Sequence, residues 1–106
     1  MNQGTQDVLT GISAAGTTQG TATELIAGIS MLSTVASGSG VALSPNATPG
    51  AFQLVYNGGA NAVTVYPPLG AKINSLATNA GHLLAANTAC EYWFASTTQV
   101  IGVLSA

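Results

Sequence analysis

Very few side chains in this chain of 106 residues could take part in chemistry. His82 is the only imidazole and Cys90 the only thiol, and the acids are Asp7, Glu24 and Glu91. A cysteine nucleophile needs a base beside it and a stabilised thiolate, but His82 stands at a polar loop edge and Cys90 in an apolar strand pattern. A metal site needs three or four converging ligands, which this set supplies poorly. We therefore expect no catalytic, cofactor-binding or metal-binding residues, and no enzyme activity.

The composition predicts a surface that is inexpensive to bury. Charged residues make up 4% of the chain and hydrophobic residues 47%, with a formal net charge of −2. Ordinary soluble domains carry roughly a quarter charged residues, so Ser, Thr, Asn, Gln, Gly and Ala must cover much of the outside. Removing water from such a surface costs little free energy. We expect a protomer that buries part of its outside in an assembly.

The segment from Phe52 to Gly81 gives the clearest local pattern. Phe52, Leu54 and Tyr56 share one face of a first strand-like run, and Val63 and Val65 share a face of a second. An Asn-Gly-Gly sequence between the runs tolerates the positive φ of tight turns. We predict a β-hairpin whose loop has an even number of residues, because only an even loop puts these two apolar faces on the same side.

Period-two patterns elsewhere predict further strands. The range 21–35 alternates over a length that exceeds a typical strand, so we expect a bend or bulge at Gly28. Shorter strands are expected at 41–43, 71–74, 81–85, 88–96 and 100–104. Residues 1–20 are weakly patterned and are interpreted as an N-terminal arm, leaving 21–106 as a single β domain. Gly-Ile-Ser occurs at 11–13 and at 28–30, which is too little to define a repeat.

These elements predict an all-β fold, an antiparallel β-sandwich or a small β-barrel of about eight short strands. Within it, Trp93 falls on the Glu91 face of its strand, opposite Tyr92 and Phe94. Either Trp93 points outward as an anchor of a protein interface, or a loop of its own subunit covers it. The candidate interface residues are Trp93, Tyr66, Met1, Val8 and Leu9.

The run from Val55 to Gly81, followed by an apolar strand pair, resembles small virion proteins of tailed bacteriophages. An Asn-Gly-rich turn, a Val-Tyr-Pro strand end and an Ile-Asn-x-Leu-Ala-x-Asn loop carry the resemblance, which extends roughly over 21–106. The residues that match are Asn57, Asn61, Val65, Tyr66, Pro67, Gly70, Ile73, Asn74, Leu76 and Asn79. The group that it resembles most is the head decoration, or cement, proteins; similar modules occur in phage tails and fibres. That family carries no catalytic residues, so none is transferred.

The resemblance implies a structural protein, usually a homotrimer, that binds the major capsid protein on the outer surface of an assembled phage head and stabilises the shell. Its location would be the virion, after synthesis in the bacterial cytoplasm. The alternative is a tail or fibre β-module that mediates trimerisation or attachment. A carbohydrate-binding β-sandwich is a third reading, which the alternating rather than loop-borne aromatic residues disfavour.

Other partners are not expected. With a single basic residue, Lys72, the chain lacks the clustered cations that nucleic acids require. The uncharged range 25–43 is interrupted by serines and glycines, so we expect strands there and no membrane span. The first residues show neither a basic start nor an apolar run, so no signal peptide is expected.

Overall fold

The computed structural model describes residues 8–45 and 48–104, and every regular element in those two ranges is a strand. The all-β class is thereby confirmed. The strands are β1 (Val8–Ala14), β2 (Thr23–Glu24), β3 (Ile29–Val35), β4 (Gly40–Ala42), β5 (Phe52–Asn57), β6 (Val63–Tyr66), β7 (Lys72–Ile73), β8 (His82–Leu84), β9 (Thr88–Phe94) and β10 (Gln99–Leu104).

The first six strands form three stacked coils. Strands β1, β3 and β5 lie side by side and parallel in one sheet, called sheet A, whereas β2, β4 and β6 lie parallel in the other, sheet B. The chain thus passes from sheet A to sheet B and back once per coil, in a β-solenoid-like arrangement. Each coil shields the backbone edge of the next, as in repeat proteins.

The remaining strands close the last coil with antiparallel pairing. Strand β9 pairs with β5, and β8 pairs with β6. Strand β10 then pairs antiparallel with β9, whereas β7 completes sheet A by pairing parallel with β10. The order in sheet A is β1-β3-β5-β9-β10-β7, and the order in sheet B is β2-β4-β6-β8. Both sheets are mixed.

The predicted antiparallel sandwich or barrel is therefore wrong, and so is the hairpin. Strand β5 belongs to sheet A and β6 to sheet B, so the Asn-Gly-Gly segment turns a corner between sheets instead of reversing a strand. Gly58 N donates to Leu32 O at 2.9 Å, and this hydrogen bond ties the corner to β3 of the preceding coil. The even-loop prediction fails because the two strands do not pair.

Strand β5 shows why the hairpin prediction failed. Its buried face carries Gln53, Val55 and Asn57, whereas the half-buried aromatic face turns outward. Gln53 Nε2 donates to Leu25 O at 3.0 Å and Ala27 O at 3.2 Å, and its Oε1 accepts from Ser44 N at 2.8 Å. Buried side-chain amides thus satisfy corner backbone groups that the sheets leave unpaired.

The core lies between the two sheets. Its largest fully buried side chains include Tyr92, Leu25, Leu32, Leu43 and Ile73. Valines on the inner faces of β4, β5, β6 and β10 fill the space between them. Such interdigitated burial is the main favourable contribution to stability.

Two predicted boundaries change. Residues 21–35 are not one bent strand, because β2 and β3 lie in different sheets and the corner between them contains Gly28. In the segment interpreted as an arm, Val8–Ala14 pairs with β3 and buries Ile12 and Ala14 in the core; residues 1–7 lie outside the described ranges. The two Gly-Ile-Ser tripeptides are out of register, since Ile12 aligns with Leu32.

No helix in the described ranges is long and apolar enough to cross a bilayer. The uncharged range 25–43 contains strands β3 and β4.

Candidate interaction surface

The residues that could do chemistry are dispersed by the fold. Glu24 lies in sheet B and Glu91 in sheet A, so the two carboxylates form no pair, and Asp7 lies outside the described residues. Cys90 is buried in the core, where burial raises the pKa of its thiol. In ranges 8–45 and 48–104, no three His, Cys, Asp or Glu side chains come together as metal ligands would.

His82 and Tyr92 form a partly buried polar contact. Strand β8 brings the His82 Nδ1 to 2.8 Å from the Tyr92 hydroxyl, and the two rings meet edge to face. Burial lowers the pKa of His82 and raises the pKa of the Tyr92 phenol, so both groups are held neutral near pH 7. The contact joins β8 of sheet B to β9 of sheet A and satisfies the core hydroxyl.

The outward side of sheet A is a broad apolar surface, here called the A face. The strand registers align its side chains in three rows across neighbouring strands. Its residues are Phe52, Trp93 and Ile101 in the first row, Val8, Ile29, Leu54, Glu91 and Val103 in the second, and Met31, Tyr56 and Ala89 in the third. Within these three rows Glu91 is the only charged residue; Lys72, exposed on β7 at the edge of the same sheet, lies outside them. A sheet face of this kind is normally covered by another layer.

Trp93 is at the centre of the first row. Its ring stacks on Phe52 with centroids 4.6 Å apart, and 40% of the residue remains exposed. Trp93 Nε1 faces Glu91 Oε1 at 3.4 Å. Of the two alternatives for Trp93, the outward orientation is therefore the one observed, and its role in an interface stays a prediction.

Around Glu91 the A face forms a shallow depression of about 260 Å³, lined by Leu54, Ala89, Glu91, Val103 and Leu104. Val103 is 53% exposed and Leu104 is 55% exposed. The depression therefore combines apolar walls with one carboxylate. It suits an apolar group that ends in a cation.

The other predicted interface residues do not form one patch. Val8 aligns with Ile29 on the A face and is 57% exposed. Leu9 aligns with the buried Ser30, which directs it toward the opposite side of the sheet. Met1 lies outside the described residues.

Tyr66 is far from this face. It belongs to sheet B, where its hydroxyl donates to Thr17 O at 3.1 Å. A Cβ at Gly40 would come within 2.8 Å of the Tyr66 ring, so this glycine makes room for the ring. Tyr66 thereby fastens the connection between β1 and β2 to sheet B.

A second concavity lies beside sheet B. It measures about 420 Å³ and includes Gln19, Glu24, Leu43, Pro67 and Leu69 in its lining. Among the described residues that line it there is no aromatic ring on which a sugar could stack. It therefore does not favour the carbohydrate-binding alternative.

Sequence reasoning missed most of the A face. Met31, Ile101 and Val103 are exposed, whereas the sequence pattern indicates only that they belong to apolar strands. The signal was present in β10, where Ile101 and Val103 alternate with buried Val100 and half-buried Gly102. Apolar residues on both sides of a strand indicate either a buried strand or an interface, and only the sheet order distinguishes the two.

Comparisons of the chain with protein-family models, curated proteins and solved structures found no match.

Proposed function

We propose that this chain is a structural virion protein that binds the outer surface of an assembled phage capsid and stabilises it. The observation that supports this most is the A face, an apolar side of a six-stranded sheet on a molecule with hardly any charge. Covering an apolar side of this kind with another protein removes it from water and so lowers the free energy of the system. The resemblance to decoration proteins supplies the proposed partner, the major capsid protein, and a homo-oligomeric form, the trimer being the form it implies.

The mechanism would be stabilisation by binding. A protein that binds the assembled, expanded shell but not its dissociated subunits shifts the equilibrium toward the shell. When an oligomer contacts several capsid subunits at once, the first contact raises the effective concentration for the others, so the overall affinity increases. The shell would then resist the pressure of packaged DNA.

We expect the binding to be insensitive to salt. Attraction between apolar surfaces is not screened by ions, and this chain has only four charged side chains. The measurement is the number of copies that sediment with empty expanded capsids of the parent phage as NaCl rises from about 0.1 M to about 1 M. Unexpanded shells are the control.

Nearly constant occupancy supports the proposal. Strong release by salt would contradict contact through uncharged surfaces, and no binding at any salt would remove the capsid role altogether.

A tail or fibre module is the second candidate, and the parallel coils are the observation that favours it. Stacked coils can continue along one axis, and β1 and β2 each have a described neighbour on one side only. Binding to purified tails but not to capsids would select this alternative.

A further inference from the structure

One pair of neighbouring residues in this chain can react with itself. Asn57 and Gly58 form the only Asn-Gly sequence; the other asparagines precede Gln3, Ala47, Ala62, Ser75, Ala80 and Thr88. In an Asn-Gly sequence the backbone nitrogen of glycine can attack the asparagine carboxamide, because glycine has no side chain to obstruct the approach. Position 57 is therefore the place in the chain where an asparagine is most prone to lose its amide group.

The fold requires both members of this pair. Asn57 Nδ2 donates to Asn61 O at 2.9 Å and to Leu84 O at 3.0 Å, and its Oδ1 accepts a hydrogen bond at 2.9 Å from the backbone two residues on. A side-chain amide offers these donors and this acceptor together. A Cβ at position 58 would come within 2.8 Å of Leu32 O, so glycine fits there and larger residues do not. The corner after β5 thus depends on the most reactive pair of residues in the chain.

The folded corner keeps the reacting groups of this pair apart. The Asn57 side chain is completely buried, and turning its carboxamide toward Gly58 N would break the hydrogen bonds that it makes. Gly58 is exposed, but its N–H donates to Leu32 O at 2.9 Å, and the nitrogen must lose that proton before it attacks. Asn57 O accepts from Asn87 N at 2.7 Å. The peptide group between the two residues is therefore hydrogen-bonded at both its carbonyl and its N–H.

We propose that Asn57–Gly58 is a modification site that the native corner keeps inert, and that opening of the corner converts Asn57 irreversibly to aspartate or isoaspartate. The only reagent besides the chain itself is water. This inference goes beyond the proposed function, because it holds whether or not a partner covers the molecule.

The conversion proceeds through a cyclic intermediate and involves no oxidation or reduction. Gly58 N gives its proton to hydroxide or a buffer base and forms a bond to Asn57 Cγ. The bond from Cγ to Nδ2 breaks, and the amide group takes a proton from solvent and leaves as ammonia. Water then opens the resulting succinimide ring at either of its carbonyl carbons. Opening at one carbon gives aspartate, and opening at the other gives isoaspartate, in which the backbone runs through Cγ.

Neither product can rebuild the corner. An ionised aspartate has no donor, so its buried carboxylate would face the carbonyl oxygens of Asn61 and Leu84, and a buried unpaired charge is strongly unfavourable. Isoaspartate adds a carbon atom to the backbone and displaces Gly58 N from Leu32 O. Chains that remain unfolded for long therefore lose the ability to fold.

The experiment compares the rate of ammonia loss in folded and unfolded protein. The full chain is incubated in mildly alkaline buffer and in the same buffer with urea above the unfolding midpoint. Mass spectrometry of proteolytic peptides measures how much of residue 57 has been converted. We expect the folded protein to react at least about 100-fold more slowly, because only its small unfolded fraction reacts. When urea is diluted, the fraction that refolds should fall in proportion to the remaining Asn57.

Two variants studied in urea identify the chemical route. Gly58→Ala places a side chain beside the attacking nitrogen and should slow ammonia loss several-fold. Gly59→Ala is the matched control, because it leaves the reactive pair intact and should not change the rate. Folding does not influence this comparison, since both chains are unfolded.

A variant far from the corner tests whether unfolding controls the reaction. Val100 is fully buried and aligns with Phe94, at the end of β9 opposite Thr88, which is the residue that aligns with Asn57. Val100→Ala should raise the unfolded fraction about tenfold or more. The rate of ammonia loss in native buffer should rise by the same factor, which urea denaturation measures independently.

The product of the reaction can also be made genetically. Asn57→Asp should melt well below the wild-type protein or fail to fold, because its carboxylate cannot donate to the corner carbonyls.

Three results would overturn the inference. Ammonia loss as fast in native buffer as in urea would mean that the corner does not protect Asn57. An unchanged rate in Val100→Ala, despite its larger unfolded fraction, would mean that unfolding does not control the reaction. An Asn57→Asp protein as stable as wild type would remove the irreversibility. None of these results bears on capsid binding, which sedimentation with shells measures separately.

Discussion

At the scale of single residues, Asn57 shows how polar side chains hold the coils. It is completely buried, and its Nδ2 donates to Asn61 O at 2.9 Å and Leu84 O at 3.0 Å. Its Oδ1 accepts from Gly59 N at 2.9 Å. One side chain thus satisfies three backbone groups at the corner after β5 and at the end of β8. A buried backbone group that loses its partner costs about 1–3 kcal/mol.

Asn57→Ala should therefore lower the free energy of unfolding by about 3 kcal/mol. Asn61→Ala is the control. Asn61 is exposed and donates one hydrogen bond, to Val35 O at 2.8 Å, so its loss should cost about 1 kcal/mol or less. Urea denaturation of both variants gives the comparison. Equal losses would mean that the Asn57 hydrogen bonds do not stabilise the corner.

His82 makes stability depend on pH in a predictable direction. Burial lowers its pKa in the folded state, so between the unfolded value of about 6.5 and the lower folded value the unfolded chain binds more protons. Its contribution is fully present above pH 6.5 and is lost as the pH falls through the folded pKa. We expect the melting temperature to fall on acidification from pH 7.5 to 5.

His82→Gln is the matched variant, because it keeps a polar partner for the Tyr92 hydroxyl and does not titrate in this range. The melting temperature of the variant should therefore fall less between pH 7.5 and 5 than that of the wild-type protein. A wild-type protein and a variant with the same pH dependence would exclude His82 as the cause.

At the scale of elements, the corners require small residues. Gly59 is the second residue after β5, and a Cβ there would come within 2.7 Å of the Val35 side chain of the previous coil. The stacking of one corner on another therefore requires glycine at this position. Gly40, under the Tyr66 ring, has the same role in sheet B.

Gly59→Ala should lower the free energy of unfolding by about 1–3 kcal/mol, because the added methyl group forces neighbouring coils apart. Gly20→Ala is the control: a Cβ there meets nothing within 4 Å, so the change should be neutral or slightly stabilising. Thermal unfolding distinguishes the two. An unchanged Gly59→Ala protein would contradict the close stacking of corners.

The sequence locates the strands better than it locates their partners. The runs expected at 41–43, 81–85, 88–96 and 100–104 overlap β4, β8, β9 and β10, and Asn87 has the positive φ expected of a turn. Alternation separates the two faces of a strand but does not identify the inner one. In β5 the apolar face turns out and the Gln/Asn face turns in, so pairing by hydrophobic match gave the wrong hairpin.

The candidate surface followed the same logic. The sequence singles out Trp93 because it falls on the face opposite Tyr92 and Phe94, and Val8 as part of the weakly patterned N-terminal segment; their role in an interface stays a prediction. Lys72 lies in a range expected as a short strand, but its alignment with Gln99 depends on the placement of β7 beside β10. That contact joins residues that the sequence pattern does not relate. It could be known only from the fold.

At the scale of the whole molecule, the strand order predicts a gradient of local stability. Strand β5 is held by parallel pairing on one side and antiparallel pairing on the other, whereas β1 has one described neighbour and a register shift between Leu9 and Ile12. Amide hydrogen exchange should therefore be slowest in β5 and β9 and fastest in β1. Exchange measured by NMR tests this residue by residue, and β1 amides as slow as those of β9 would contradict it.

The coil architecture also has a consequence for engineering. Each coil takes roughly 20 to 25 residues and adds one strand to each sheet, while adjacent strands are about 4.8 Å apart. Chain length and molecular height are therefore coupled in fixed steps. Duplicating the middle coil, with its corner glycines and amides, should lengthen the particle by one strand spacing and leave its cross-section unchanged. The number of coils that the sequence encodes therefore sets the height of the molecule.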